Sequence, residues 1–164
     1  MQSVWNTAIE MENKGIAFFE ARAKETKSEA LAGIFTFLQN QEEKHRNFFM
    51  RISNSEPADM QSDDDAIAYA RSAFDSLKDN FPALQEELEY SSEVYAQAKQ
   101  MERDAIEFYT SLLDEAETEE QKRIIRVIIG EEEKHEQLMQ AMMDFVARPQ
   151  QWIENAEWNH LEAY

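Results

Sequence analysis

The sequence predicts an all-α protein: a four-helix bundle of two repeated antiparallel hairpins, joined by a long crossover and followed by a C-terminal helical tail. Three observations lead there. All three prolines, Pro57, Pro82 and Pro149, fall outside the strongly periodic segments. No cluster of glycine or of alternating β-branched residues suggests strands. The chain also repeats itself at an offset of 90 residues, which superposes Val4 on Val94, Ala8 on Ala98, Met11 on Met101, Ile16 on Ile106, Phe18 on Phe108 and Ile34 on Ile124.

The first helix is expected from about Ser3 to Thr26 and the second from about Ser28 to Ile52, with Ser28 as N-cap just after the turn. The third should span about Glu89 to Glu117 and the fourth Thr118 to Ala147, where Thr118 and Gln121 fit a capping box. Thr118 lies one repeat after Ser28, so the caps recur as well. Between the hairpins, 54–87 holds Pro57, the acidic run Asp63 to Asp65 and an apolar-periodic stretch, Ile67 to Leu77, expected as a short helix. A crossover of that length lets the third helix run parallel to the second. Residues 1–148 form the expected bundle, and 149–164 an amphipathic extension carrying Trp152, Ile153, Trp158 and Leu161, suited to pack on the bundle or on a second subunit.

At 164 residues the chain suits one domain, a size that buries roughly 70% of the unfolded surface. Its 34 acidic against 16 basic residues give a net charge of -18, which argues against nucleic acid and anionic membranes and in favour of cations or a basic partner. With no cysteine, disulfides, thiolate catalysis and cysteine-ligated metal centres are excluded within the chain, so any metal must be held by oxygen and nitrogen. Glu10 and Glu12 interrupt the N-terminal apolar pattern, and nothing approaches the roughly 20 apolar residues of a membrane span. A cytoplasmic location is expected.

The chemistry resides in the repeat. Glu12 is followed 30 residues later by Glu42-x-x-His45, and Glu102 by Glu132-x-x-His135 at the same spacing. In an antiparallel hairpin, residues equidistant from the turn share a height, and the midpoints of both glutamate pairs fall in the expected turns. Each glutamate is then about 22 Å from its turn, at 1.5 Å per residue, so the four carboxylates meet near mid-bundle. They also interrupt apolar stripes: Trp5, Glu12, Phe19; Tyr95, Glu102, Tyr109; Leu31, Phe35, Leu38, Glu42, His45, Phe49; and Ile125, Ile128, Glu132, His135, Met139. Four buried carboxylates without cations would protonate or force a rearrangement, whereas two divalent ions cancel their charge. The loaded chain would still carry about -14.

With this ligand set the chain resembles the ferritin-like superfamily of carboxylate-bridged di-iron proteins, and within it the rubrerythrin-like branch. The resemblance implies Glu12 and Glu102 as terminal ligands, Glu42 and Glu132 as bridges, and His45 and His135 as one ligand to each ion, with no catalytic group beyond these six. It implies two iron ions, although the same donors accept manganese or zinc. Peroxide, dioxygen or ferrous iron would be the substrate, and a separate redox protein the electron donor. Two departures stand out: Ala105 occupies the position where rubrerythrins typically carry an extra glutamate one turn after the third-helix ligand, and there is no cysteine-rich rubredoxin-like segment. The alternative is an iron-binding, storage or handling protein without turnover, and a weaker one is a helical adaptor with protonated glutamates. A homodimer is expected from the surplus apolar surface.

Other residues carry blander readings. Glu43, Lys44, Glu133 and Lys134 lie about 100° around their helices from the ligands and read as solvated charges. Tyr95 and Tyr109 read as core rather than as partners of a ligand. Glu157 and His160, a third Glu-x-x-His without a repeat partner, read as exposed. Gly15 and Gly130 sit within a turn of a ligand and suit either close helix approach or freedom of a coordinating side chain.

Overall fold

The computed structural model describes residues 2–58, 60, 69, 72, 73, 75, 76 and 92–147. Four long helices carry them: α1 (Gln2–Glu25), α2 (Glu29–Ser53), α3 (Ser92–Leu112) and α4 (Glu119–Ala147). No described helix is long and apolar enough to cross a membrane. α1 packs along α2, and α3 along α4, far more extensively than either hairpin packs on the other. The N-terminal end of α1 meets the C-terminal ends of α2 and α3 and the start of α4 in one apolar cluster. α2 and α3 therefore run parallel, as the long crossover requires.

Local chemistry sets the ends. Ser28 Oγ accepts from the Leu31 N–H at 3.3 Å and caps α2. At the other end Ser55 adopts a left-handed φ of 58°, while its N–H reaches Ile52 O and that of Glu56 reaches Arg51 O, each at 2.9 Å. This Schellman pattern usually employs glycine. The expected capping box forms: the Gln121 N–H donates to Thr118 Oγ1 at 3.1 Å, and Gln121 Oε1 accepts from the Thr118 N–H at 3.3 Å.

α3 stops at Leu112, short of the expected Glu117. The ladder tightens to i−3 bonds at Leu113, Asp114 and Glu115, and the Glu117 N–H is taken by Gln121 Oε1 of the next helix at 2.8 Å. In the crossover, Tyr69, Ser72, Ala73, Asp75 and Ser76 are helical. Tyr69 stacks on Phe37 with centroids 5.1 Å apart, and a Cβ at Gly33 would come within 2.5 Å of its hydroxyl, so that glycine opens the seat for the crossover. The expected start of α3 at Glu89 and the tail with Trp152, Ile153, Glu157, Trp158, His160 and Leu161 lie outside the described residues.

The sequence repeat survives as a structural one: the burial pattern of 11–20 recurs residue for residue at 101–110. Two apolar cores result. One holds Phe19, Leu31, Phe35, Leu38, Tyr95, Met139 and Phe145; the other holds Trp5, Phe49, Tyr109, Leu112, Ile125 and Ile128, with Phe49 lying 6.3 Å from Trp5 and 5.1 Å from Tyr109 between ring centroids. Each fully buried Leu or Phe stabilises the fold by roughly 1.5–3 kcal/mol. That margin allows a polar layer to sit between the two cores.

Candidate metal centre

All six residues singled out by the repeat are buried in this layer: Glu12, Glu42, His45, Glu102, Glu132 and His135. They divide into two overlapping sets, Glu12, Glu42, His45, Glu132 and Glu42, Glu102, Glu132, His135, and within each set one donor atom per residue lies within 4.8 Å of the others. Glu42 and Glu132 belong to both. His45 Nδ1 sits 2.9 Å from Glu132 Oε1 and 3.9 Å from Glu12 Oε2. His135 Nδ1 sits 2.9 Å from Glu132 Oε2 and 3.4 Å from Glu42 Oε1. The two imidazoles face each other at 6.1 Å between centroids.

His135 Nδ1 and Glu132 Oε2 are hydrogen-bonded, but most of the converging donors leave one atom unmet. Glu12 Oε2, Glu42 Oε1, His45 Nδ1, Glu102 Oε1 and Glu132 Oε1 are buried and have no hydrogen-bond partner among the described residues. Native interiors seldom leave such atoms unmet. Each group of four residues could hold an oxygen- and nitrogen-seeking divalent cation, and Glu42 and Glu132 would contribute to both.

The electrostatics show what stands in for such charge. Burial raises the Glu12 and Glu102 pKa values well above the usual carboxylate range, and the negative charges of Glu42 and Glu132 raise them further. Burial alone would lower the pKa of His45, but Glu132, Glu131 and Glu42 together raise it to about 9. His135 is raised in the same way against burial, chiefly by Glu132 and Glu42. Burial opposes the charge on Glu132 as well, yet the two imidazoles hold its pKa down to about 2. Proton binding at both imidazoles and at the Glu12 and Glu102 carboxyls is thus favoured and offsets negative charge in the layer.

A cavity of about 170 Å³ opens onto the layer between α1 and α3. Its walls are paired by the repeat: Met11 with Met101, Glu12 with Glu102, Lys14 with Asp104, Gly15 with Ala105, and Phe19 with Tyr109, with Glu42 at the floor. The small residues Gly15 and Ala105 make the opening. A Cβ at Gly15 would lie 3.2 Å from both Cγ and Oε2 of Glu42, whereas one at Gly130 would meet nothing within 4 Å. Freedom of a donor side chain therefore explains Gly15 but not Gly130. Gly15→Ala should leave the metal-free helix as stable or up to about 1 kcal/mol more so, while displacing Glu42 and lowering divalent-ion affinity about tenfold. Melting curves and chelator competition separate the two effects; unchanged affinity would refute the role assigned to Gly15.

The sequence favoured plain core for Tyr109 over a hydrogen bond to a ligand carboxylate, and offered no role for Glu131. Tyr109 is core, as expected, but it is more than that: its hydroxyl donates to Glu12 Oε1 across the hairpins at 2.5 Å, and burial followed by the Glu12 charge raises its own pKa. Glu131 is buried beside Glu132, and its Oε2 accepts from His45 Nε2 at 2.8 Å. The repeat carried a signal for it, since Gln41 precedes Glu42 as Glu131 precedes Glu132, and both are buried. Of the flanking charges, Lys44 and Glu133 are exposed, while Glu43 and Lys134 are half-buried. On the outer face Arg103 meets Glu136 at 3.1 Å and Lys99 donates to Gln140 at 2.6 Å, tying α3 to α4.

The family model for rubrerythrin matches residues 4–143. The chain belongs to the rubrerythrin family. No curated protein and no solved structure matches it significantly. Family membership accounts for the all-α bundle and for a buried layer of carboxylates and histidines able to hold metal. Ala105 lines the cavity beside Glu102.

Proposed function

We propose that this rubrerythrin-family chain is a dinuclear non-haem iron protein that acts as an oxidoreductase, reducing peroxide or dioxygen with electrons taken from a separate redox protein or from ferrous iron that it oxidises. The observation that carries the reading is the pair of four-residue donor sets sharing Glu42 and Glu132. Glu12 and His45 would complete one position, Glu102 and His135 the other. Two irons so held supply one-electron redox steps and Lewis acidity at coordination positions the protein leaves open. Manganese or zinc would satisfy the same donors.

The chain's own residues do the rest. The cavity between α1 and α3 has ample room for a diatomic or peroxide molecule and is lined by Glu12, Glu42 and Glu102. The apolar cores above and below close the layer at both ends, leaving the cavity as its opening. Tyr109 holds a proton against Glu12 Oε1, within reach of any oxygen species reduced in the cavity.

Anaerobic reconstitution with ferrous iron should load about two ions per chain, and stopped-flow mixing with peroxide or dioxygen should then consume the oxidant with growth of oxo-bridge absorption. Two bound irons that ignore both oxidants would move the chain to iron handling, and light scattering would show whether it then forms a dimer or a large shell. Failure to bind two ions would refute the dinuclear centre.

A further inference from the structure

Among the differences between the two repeats, two buried ones bear on the same donor set. Position 131 carries Glu where the first half carries Gln41, and position 109 carries Tyr where the first half carries Phe19. All four residues are buried. Glu131 receives the Nε2–H of His45 at 2.8 Å, and Tyr109 donates to Glu12 at 2.5 Å. The set Glu12, Glu42, His45, Glu132 therefore has an ionisable carboxyl and a phenol behind it, where its twin has an amide and a plain ring at the equivalent positions.

Resting on the dinuclear reading above, we propose that the two metal positions are intrinsically unequal, and that Glu131, acting through His45, makes the Glu12/His45 position the tighter one. By accepting the Nε2–H, Glu131 fixes the imidazole tautomer and turn, so that Nδ1 faces Glu132 and Glu12 at 2.9 and 3.9 Å. An anionic partner behind a ligating histidine also strengthens its donor nitrogen and adds negative charge close to the cation. Gln41 has nearly the same shape without the charge. Tyr109 works in the opposite sense by drawing on Glu12, but it is a neutral donor on Oε1 alone, and Glu12 Oε2 remains without a hydrogen-bond partner among the described residues. A charge-assisted hydrogen bond is roughly twice as strong as a neutral one. The balance therefore favours the Glu131 side.

Repulsion between two bound cations separates successive binding steps even in a symmetric site, so the test isolates each position. Glu12→Gln leaves the His135 position intact, and Glu102→Gln leaves the His45 position. Titrated metal-free with Co²⁺ and a competing chelator, the Glu102→Gln protein should bind its one tight ion roughly 10- to 100-fold more strongly than the Glu12→Gln protein. Adding Glu131→Gln should erase that gap and shift the Co²⁺ ligand-field bands of the Glu102→Gln protein only; Glu131→Asp should restore part of the gap. Gln41→Glu in the Glu12→Gln background should tighten the His135 position by a similar factor, and this remains measurable even if Glu131→Gln fails to fold. Equal affinities of the two half-site proteins, or a gap insensitive to both position 131 and position 41, would overturn the inference and leave the dinuclear reading standing. A native chain that takes up fewer than two Co²⁺ would instead sink the dinuclear reading.

Discussion

Glu132→Ala should abolish uptake of both ions, whereas Glu12→Ala and Glu102→Ala should each spare about one. Glu132 places one carboxylate oxygen 2.9 Å from each imidazole Nδ1, and it belongs to both donor sets. Its removal takes one ligand from each position and the negative charge that holds the two histidines in place. The metal-free protein should suffer as well. His45 and His135 would be left as buried cations missing their common partner, and breaking a buried ion pair from one side costs about 3–5 kcal/mol. Part of that cost is escaped if the imidazoles release their protons, so the loss should grow as the pH falls below their ordinary range. Elemental analysis reads the stoichiometry, and urea unfolding of chelator-treated protein reads the stability. Two ions retained by Glu132→Ala would contradict the shared-ligand geometry outright.

The metal-free protein should lose stability as the pH rises from mildly acidic to about 9, and divalent metal should reverse the trend. His45 is raised from 6.5 to about 9 in the folded state. Its stabilising contribution is complete below 6.5, where folded and unfolded chains both carry the proton, and is lost as the pH climbs through about 9. The full contribution is roughly 3 kcal/mol at most. His135, also raised, has the same sign. So do Glu12 and Glu102, whose raised values make the folded state the better proton binder above 4.5. Glu132 acts oppositely: lowered to about 2, it stabilises above 4.5 and loses that contribution only as the pH falls through about 2. Stability should therefore peak in the mildly acidic range. Cations must displace these protons, so affinity and the stability of the loaded protein should both rise over the same interval. Thermal melts at about pH 5.5 and 9, with chelator and with Mn²⁺ or Zn²⁺, give opposite slopes on this account. A metal-free profile that is flat or rises with pH would show that protons do not occupy the place of the cations.

Much of this was legible because the chain states its pattern twice. A single Glu-x-x-His on a helix is as easily a solvated face, but its recurrence in register with Glu12 and Glu102, each interrupting an apolar stripe, left few other arrangements. The caps at Ser28 and Thr118 were readable for the same reason. The end of α3 was not, because the residues after Leu112 remain good helix formers. Termination there depends on Gln121, a residue of the next helix, capturing the Glu117 N–H. Glu131 was hidden in a run of three identical residues, Glu131 to Glu133, of which the outermost is exposed and the other two are buried.

By itself the sequence determined the four helices, their pairing into like hairpins and the six polar residues that interrupt the core, since all of these follow from periodicity and spacing along one chain; the family was to be expected from the resemblance of that ligand set. Only the tertiary structure decided which hairpin partner each group meets: that Tyr109 of α3 reaches Glu12 of α1, that Glu131 of α4 backs His45 of α2, and that Gly15 and Ala105 open a common cavity. Hydrogen bonds and voids between helices depend on rotation and separation to within about an ångström, which the helical repeat does not specify.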